Sequence, residues 1–306
     1  MVTGKGGTGK TTVAGALALA LASQSARVLL IEVEGRQGLA QLFDTPPLPY
    51  AETRLAATSG GEVIGLAVDA EAAMLEYLEL FYNIKRGGSV LRKMGAIDFV
   101  TTIAPGLRDV LLTGKVKEAV TRGRDQQRPV FDAVVLDAPP TGRIVQFLQA
   151  TNEVAGLTKI GPIHRQSTGV IELLHSAMTQ VHIVTLLEEM PVQESLDAAA
   201  ELRSTGYHVG QLIVNRARPV LVSGGRPSKS LLTEGLAAAG LDPTMAPELM
   251  AEVADYATWQ QIQAHAGEEL VEIGAPIRRL PELAPPMDLG NLFELAEALQ
   301  LDEWTS

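Results

Sequence analysis

Cysteine is absent from all 306 residues. That absence excludes disulfides, thiolate zinc sites, iron–sulfur clusters and cysteine nucleophiles, and it fits a reducing compartment. Aromatic residues are scarce at 4%, although hydrophobic residues reach 46%. The apolar content leans on Ala, Leu and Val, which suits helices packed on a parallel sheet and allows a sizeable core. Basic residues are outnumbered 25 to 36, for a net charge of −11. A general nucleic-acid binder carries a basic footprint. Here there are only local clusters (Lys85-Arg86, Arg92-Lys93 and Arg122/Arg124/Arg128), read as solvated helix faces. Long hydrophobic runs are missing as well. The stretch Val13 to Ala22 falls far short of the ~20 residues of a membrane span, and no cationic leader or cleavage pattern accompanies it. The expectation is a soluble, cytoplasmic protein with no nucleic-acid partner and no stable membrane insertion.

What is present is a series of short apolar runs separated by helix-like segments. Arg27–Val33, Val130–Asp137, His182–Leu187 and Gly210–Val214 read as strands covered on both faces, with Glu62–Val68 a weaker candidate. Alternation with helices predicts an α/β fold, a mostly parallel, doubly wound sheet with right-handed crossovers. Two stretches carry no good strand. The first has helical candidates at Ala70–Asn83, Ser89–Ile103 and Gly106–Thr121; the second runs from Ile144 to about Gln180. They predict a helical subdomain, about 70–128 and 144–180, inserted between strands of a single domain spanning 1–306. Breakers mark Arg218–Ser230 as a loop, and Leu280–Met287 as a connection to a short final helix, Asn291–Leu301.

The run Gly4-Lys5-Gly6-Gly7-Thr8-Gly9-Lys10-Thr11 satisfies the phosphate-loop pattern GxxxxGK[ST]. Glycines let successive backbone N–H groups turn toward phosphate oxygens, and the following helix offers its positive N-terminus. In this pattern Lys10 reaches the β- and γ-phosphates, the Thr11 hydroxyl ligates Mg²⁺, and Thr12 meets the α-phosphate. The helix that should follow is visible in Thr12–Ser23, and Asp137 ends a later apolar strand, a context that supports the phosphate-loop reading. Lys5 reads either as an exposed loop lysine or as a second cation reaching a partner subunit's phosphates. Since Lys10 already serves its own subunit, Lys5 has no evident use there.

KGGTGKTT resembles the deviant phosphate loop of the dimeric ATPases that include the ParA/Min, nitrogenase-iron-protein and arsenical-pump groups. Asp137-Ala138-Pro139-Pro140-Thr141-Gly142 resembles the switch II of the arsenical-pump branch, which includes the factor that targets tail-anchored membrane proteins. Ala104-Pro105-Gly106, Ile213-Val214-Asn215-Arg216, and Leu280-Pro281 followed by Asp288-Leu289 extend the likeness over nearly the whole chain. The resemblance implies ATP and Mg²⁺ as cofactors, ATP hydrolysis, Asp137 holding Mg²⁺ through a water, and Asn215, with Arg216 beside it, at the adenine. It also implies a homodimer, or a heterodimer with a paralogous ATPase, acting on a protein or hydrophobic client.

The chain departs from that family in three places. Where switch I has an Asp that orients the attacking water, this sequence has Glu34, one methylene longer; it is either that catalytic residue or a structural switch residue. Without cysteines, the family's arsenite site and dimer-bridging zinc site are both missing, and the histidines at 164, 175, 182, 208 and 265 lack zinc-like spacing. Met74, Met94, Met178 and Met190 are too scattered for a methionine-rich groove, so core packing is their expected role. A nucleotide-held scaffold with little hydrolysis is the competing function. A membrane-positioning role would call for a basic amphipathic end, whereas this end is acidic at Asp302-Glu303. Only Met1-Val2-Thr3 precedes the phosphate loop, short for the strand that feeds such a loop, so an upstream start is expected.

Overall fold

The computed structural model describes residues 1–69, 71–73, 75–76, 105–124, 129–157, 162–222 and 227–299. Its strands are β1 (Val2–Gly4), β2 (Arg27–Glu32), β3 (Thr53–Ala57), β4 (Glu62–Ala67), β5 (Ala133–Asp137), β6 (Val181–Thr185), β7 (Val209–Ala217) and β8 (Ile277–Pro281). The helices are α1 (Lys10–Ala22), α2 (Gly38–Leu42), α3 (Pro105–Thr121), α4 (Thr141–Leu157), α5 (Pro162–Leu174), α6 (Glu189–Ser204), α7 (Lys229–Ala238), α8 (Ala246–Leu270) and α9 (Leu289–Leu299).

The eight strands form one sheet in the order β3-β4-β2-β5-β1-β6-β7-β8. Every pairing is parallel except β3 with β4. Because successive side chains leave a strand on opposite faces, Leu29 and Ile31 enter one apolar layer while Val28 and Leu30 enter the other. The first layer lies under α3, α4, α5 and α6, and the second under α1, α2 and α9. Strands covered on both faces need continuous rather than alternating apolar runs. The five strands read from the sequence are such runs, and all five are present.

β3 and β8 escape that reading because they are edges. β3 buries only Leu55 well, and β8 carries Arg278 and Arg279 in its centre. β5 starts three residues later than expected, at Ala133. The third helical candidate is α3, which packs with α4 and α5; the first two candidates, with Met74 and Met94, lie largely outside the described residues, as do Lys85-Arg86, Arg92-Lys93 and Arg128. Arg122 is more than a solvated charge: it pairs with Glu118 at 2.7 Å and Glu52 at 2.5 Å and lies over the Phe131 ring.

The methionine expectation is overturned at two positions. Met178 and Met190 are exposed, one in the turn after α5 and the other in the first turn of α6. Among the described residues no helix is long and apolar enough to cross a membrane.

Candidate nucleotide site

The C-terminal ends of parallel strands are where an open α/β sheet binds ligands. β1 sits centrally between β5 and β6 and delivers Gly4 to this edge. Lys5 to Gly9 then turn into α1, whose first residues are Lys10, Thr11 and Thr12. The turn closes on itself, with the Thr8 hydroxyl donating to the Lys5 carbonyl at 2.9 Å. Around Gly6 and Gly7 the space is open: a Cβ at either would meet nothing within 4 Å. Gly9 enters α1 with φ +88, and no side chain caps the helix. Uncapped N–H groups beside an open concavity are the physical requirements for holding phosphates.

Asp137, at the end of β5, pairs with Glu32 of β2 and receives a hydrogen bond from the Thr11 hydroxyl on Oδ2 at 2.7 Å. Its other oxygen, Oδ1, is buried and has no hydrogen-bond partner among the described residues. Burial pushes the Asp137 carboxyl up to about 6; the Thr11 hydrogen bond and Lys10 oppose the rise, and Glu32 and Glu34 add to it. A buried carboxylate with a spare oxygen, resisted by two acidic neighbours, gains more from a divalent cation than an exposed one does. Thr11 and Asp137 therefore fit Mg²⁺.

Glu34 lies on the loop after β2, with its carboxylate 3.8 Å from Arg36 Nε. It acts on Asp137 through charge. Glu32 was not singled out in the sequence, yet it organises this corner. Fully buried, it accepts the backbone N–H groups of Gly38 at 3.2 Å and Leu39 at 3.1 Å. That fixes the start of α2 against Thr11, whose methyl lies 3.2 Å from where a Gly38 Cβ would be. A charge ending an apolar run (RVLLIE) was the available signal.

Asn215 and Arg216 close the other side. The Asn215 amide donates to the Thr8 carbonyl at 2.8 Å, and its oxygen accepts from Arg216 N at 3.0 Å. They line a cleft of about 280 Å³ with Gly9, Thr12, Pro281, Leu283 and Met287. The structure thus gathers all the predicted site residues at one edge. Lys5 is the exception in orientation. Its ammonium pairs within its own subunit with Glu194 of α6, correcting the expectation that it lacks an internal use. Glu194 also accepts from the Thr141 hydroxyl at 3.1 Å, and nothing in the local sequence marks it.

His182 and His175 do other work. Burial pushes His182 down to about 3, so it is neutral and accepts from Gln211 N at 3.0 Å, while His175 stacks on Tyr207.

Residues 1–180 match the family model described as anion-transporting ATPase. The chain belongs to that family. The chain is 50% identical over 311 residues to the ATPase BagA of Mycobacterium tuberculosis, covering 98% of this chain and 91% of that protein. A putative arsenical pump-driving ATPase 2 of Aquifex aeolicus is 24% identical over 248 residues, 71% of this chain and 79% of the relative. The ATPase get3 of Schizosaccharomyces japonicus is 26% identical over 178 residues, 56% and 51% respectively. The chain is an ATPase, and its phosphate loop, Thr11 and Asp137 lie inside the matched region.

Proposed function

We propose that this ATPase is a Mg²⁺-dependent, dimeric switch that couples ATP binding and hydrolysis to a protein or hydrophobic client. One observation carries the reading: the Thr11–Asp137 pair, with its spare buried oxygen, below an uncapped and open phosphate loop. Bound ATP supplies the phosphoryl group, and Mg²⁺ spreads its charge. Gly4, Gly6, Gly7, Thr8 and Gly9 shape the cradle, Lys10 and Thr12 meet phosphates, and Thr11 with Asp137 holds the cation. Asn215 and Arg216 border the base in the cleft beside Gly9. Lys5 serves the nucleotide of a partner, an identical chain or a paralogue, where charge on the transferred group needs stabilising. The absence of cysteine argues against arsenite as the cargo. The single-domain reading of 1–306, with a helical insertion over about 70–128 and 144–180, belongs to this proposal as the place where a client docks.

Glu34 is the residue that orients the attacking water. Replacing it with Gln should leave Mg-ATP binding in place and slow phosphate release by about 10²-fold, the scale of a lost proton-transfer or positioning group. The pairing of Glu34 with Arg36 favours a second reading, a nucleotide-held scaffold in which this carboxylate is structural. Phosphate release measured on the wild-type chain and Glu34→Gln separates the two: equal rates in both support the scaffold.

A further inference from the structure

The Glu194 carboxylate joins two parts of the site that the sequence keeps far apart. One oxygen receives the Lys5 ammonium from the phosphate loop. The other accepts from the Thr141 hydroxyl at 3.1 Å. Thr141 is buried and opens α4, four residues beyond Asp137. The segment between them is anchored on its other side, where the Thr3 hydroxyl of β1 donates to the Pro139 carbonyl at 2.6 Å. A change in the Asp137–Thr141 loop is therefore felt at Glu194, and through Glu194 at Lys5.

We propose that Glu194 is a positioning residue that parks Lys5 in its own subunit and releases it to the partner when the Asp137–Thr141 loop closes around nucleotide. This rests on the reading of Lys5 as a trans-acting cation. The strength of the contact suits the role. The Lys5 and Glu194 side chains keep 30% and 35% of their surface exposed, and an ion pair so open to water shifts an equilibrium by no more than about fivefold. Phosphate oxygens on a facing subunit outcompete a hold of that size. A deeply buried pair would trap the lysine, because breaking it strands a charge. Glu194 thus lowers the dimer population without nucleotide and leaves the ATP-bound dimer intact. Its placement in the second turn of α6, rather than on the phosphate loop, lets it respond to the Thr141 side of the site.

Glu194→Gln removes the ion pair while keeping an acceptor for Thr141. The full chain is titrated with Mg-ATP and dimer formation is followed by light scattering. Glu194→Gln is expected to dimerise at up to about fivefold lower ATP than wild type, with monomer affinity for Mg-ATP unchanged. Lys5→Ala and the double variant Lys5→Ala/Glu194→Gln should both fail to dimerise and match each other. Acylation of Lys5, read by mass spectrometry without nucleotide, tests the parking independently of assembly: Lys5 should react up to about fivefold faster in Glu194→Gln. Equal acylation rates, or a Glu194→Gln chain that needs as much ATP as wild type, overturn the role given to Glu194. If Lys5→Ala dimerises like wild type, the trans reading of Lys5 falls and takes this proposal with it.

Discussion

Replacing Asp137 with Asn should stabilise the metal-free protein and destroy its response to Mg-ATP. The folded carboxyl titrates near 6 rather than at its ordinary 3.8, because it is buried beside Glu32 and Glu34. An acid whose folded value is raised holds its proton longer in the native state, so stability is full below about pH 4 and is lost as pH rises through 6. The shift corresponds to about 3 kcal/mol at neutral pH, an upper figure that Thr11 and Lys10 already temper. Asn keeps an oxygen for the Thr11 hydroxyl and carries no charge. In EDTA, urea unfolding of Asp137→Asn should therefore show a gain of about 1–3 kcal/mol at pH 8, shrinking to about 1 kcal/mol or less at pH 4.5. With Mg-ATP at about a thousandfold its Kd the order reverses, since ligand at that level adds about 4.1 kcal/mol to the wild type alone. A variant no more stable than wild type in EDTA at pH 8, or one stabilised equally by Mg-ATP, would refute the assignment of a strained, cation-seeking carboxylate.

Glu32→Gln should cost about 1–3 kcal/mol in urea unfolding, because one of the two N–H groups of Gly38 and Leu39 then faces an amide NH₂ inside the core; a neutral result would remove Glu32 from the site's framework. Gly9→Ala places a Cβ 2.4 Å from Asn215 Nδ2 at φ +88, so unfolding should show a loss above the ~1–2 kcal/mol of a left-handed alanine. Made in an Asn215→Ala background, which already lacks the Asn215 hydrogen bonds, Gly9→Ala should cost only that figure, and the same excess loss there would show that the clash is not the cause.

The central architecture is legible because physics leaves it little freedom. A strand covered on both faces must be continuously apolar, and RVLLIE and HIVTLL announce themselves for that reason. The phosphate loop is legible because the left-handed backbone at Gly7 and Gly9, φ +90 and +88, favours glycine. Edge strands lack that constraint, so Ile277–Pro281 hides behind two arginines. The five-residue helix Gly38–Leu42 is too short to show a period, and it depends on a buried glutamate six residues away. Glu194 is the least legible element, being 189 residues from Lys5 and 53 from Thr141. No local pattern encodes a contact made by tertiary packing of α6 beside the phosphate loop. The exposed Met178 and Met190 make the converse point: an apolar residue placed in a turn or a first helical turn is not thereby part of a core.

The claim on which the account rests is that the loop from Gly4 to Thr11 holds nucleotide phosphates through Lys10. Calorimetric titration of Mg-ATP into the wild-type chain and into Lys10→Ala tests it most directly. Binding to the wild type should be stoichiometric and to Lys10→Ala immeasurable, with both chains unfolding at the same urea concentration in the absence of ligand. Equal Mg-ATP affinity for the two chains would contradict it.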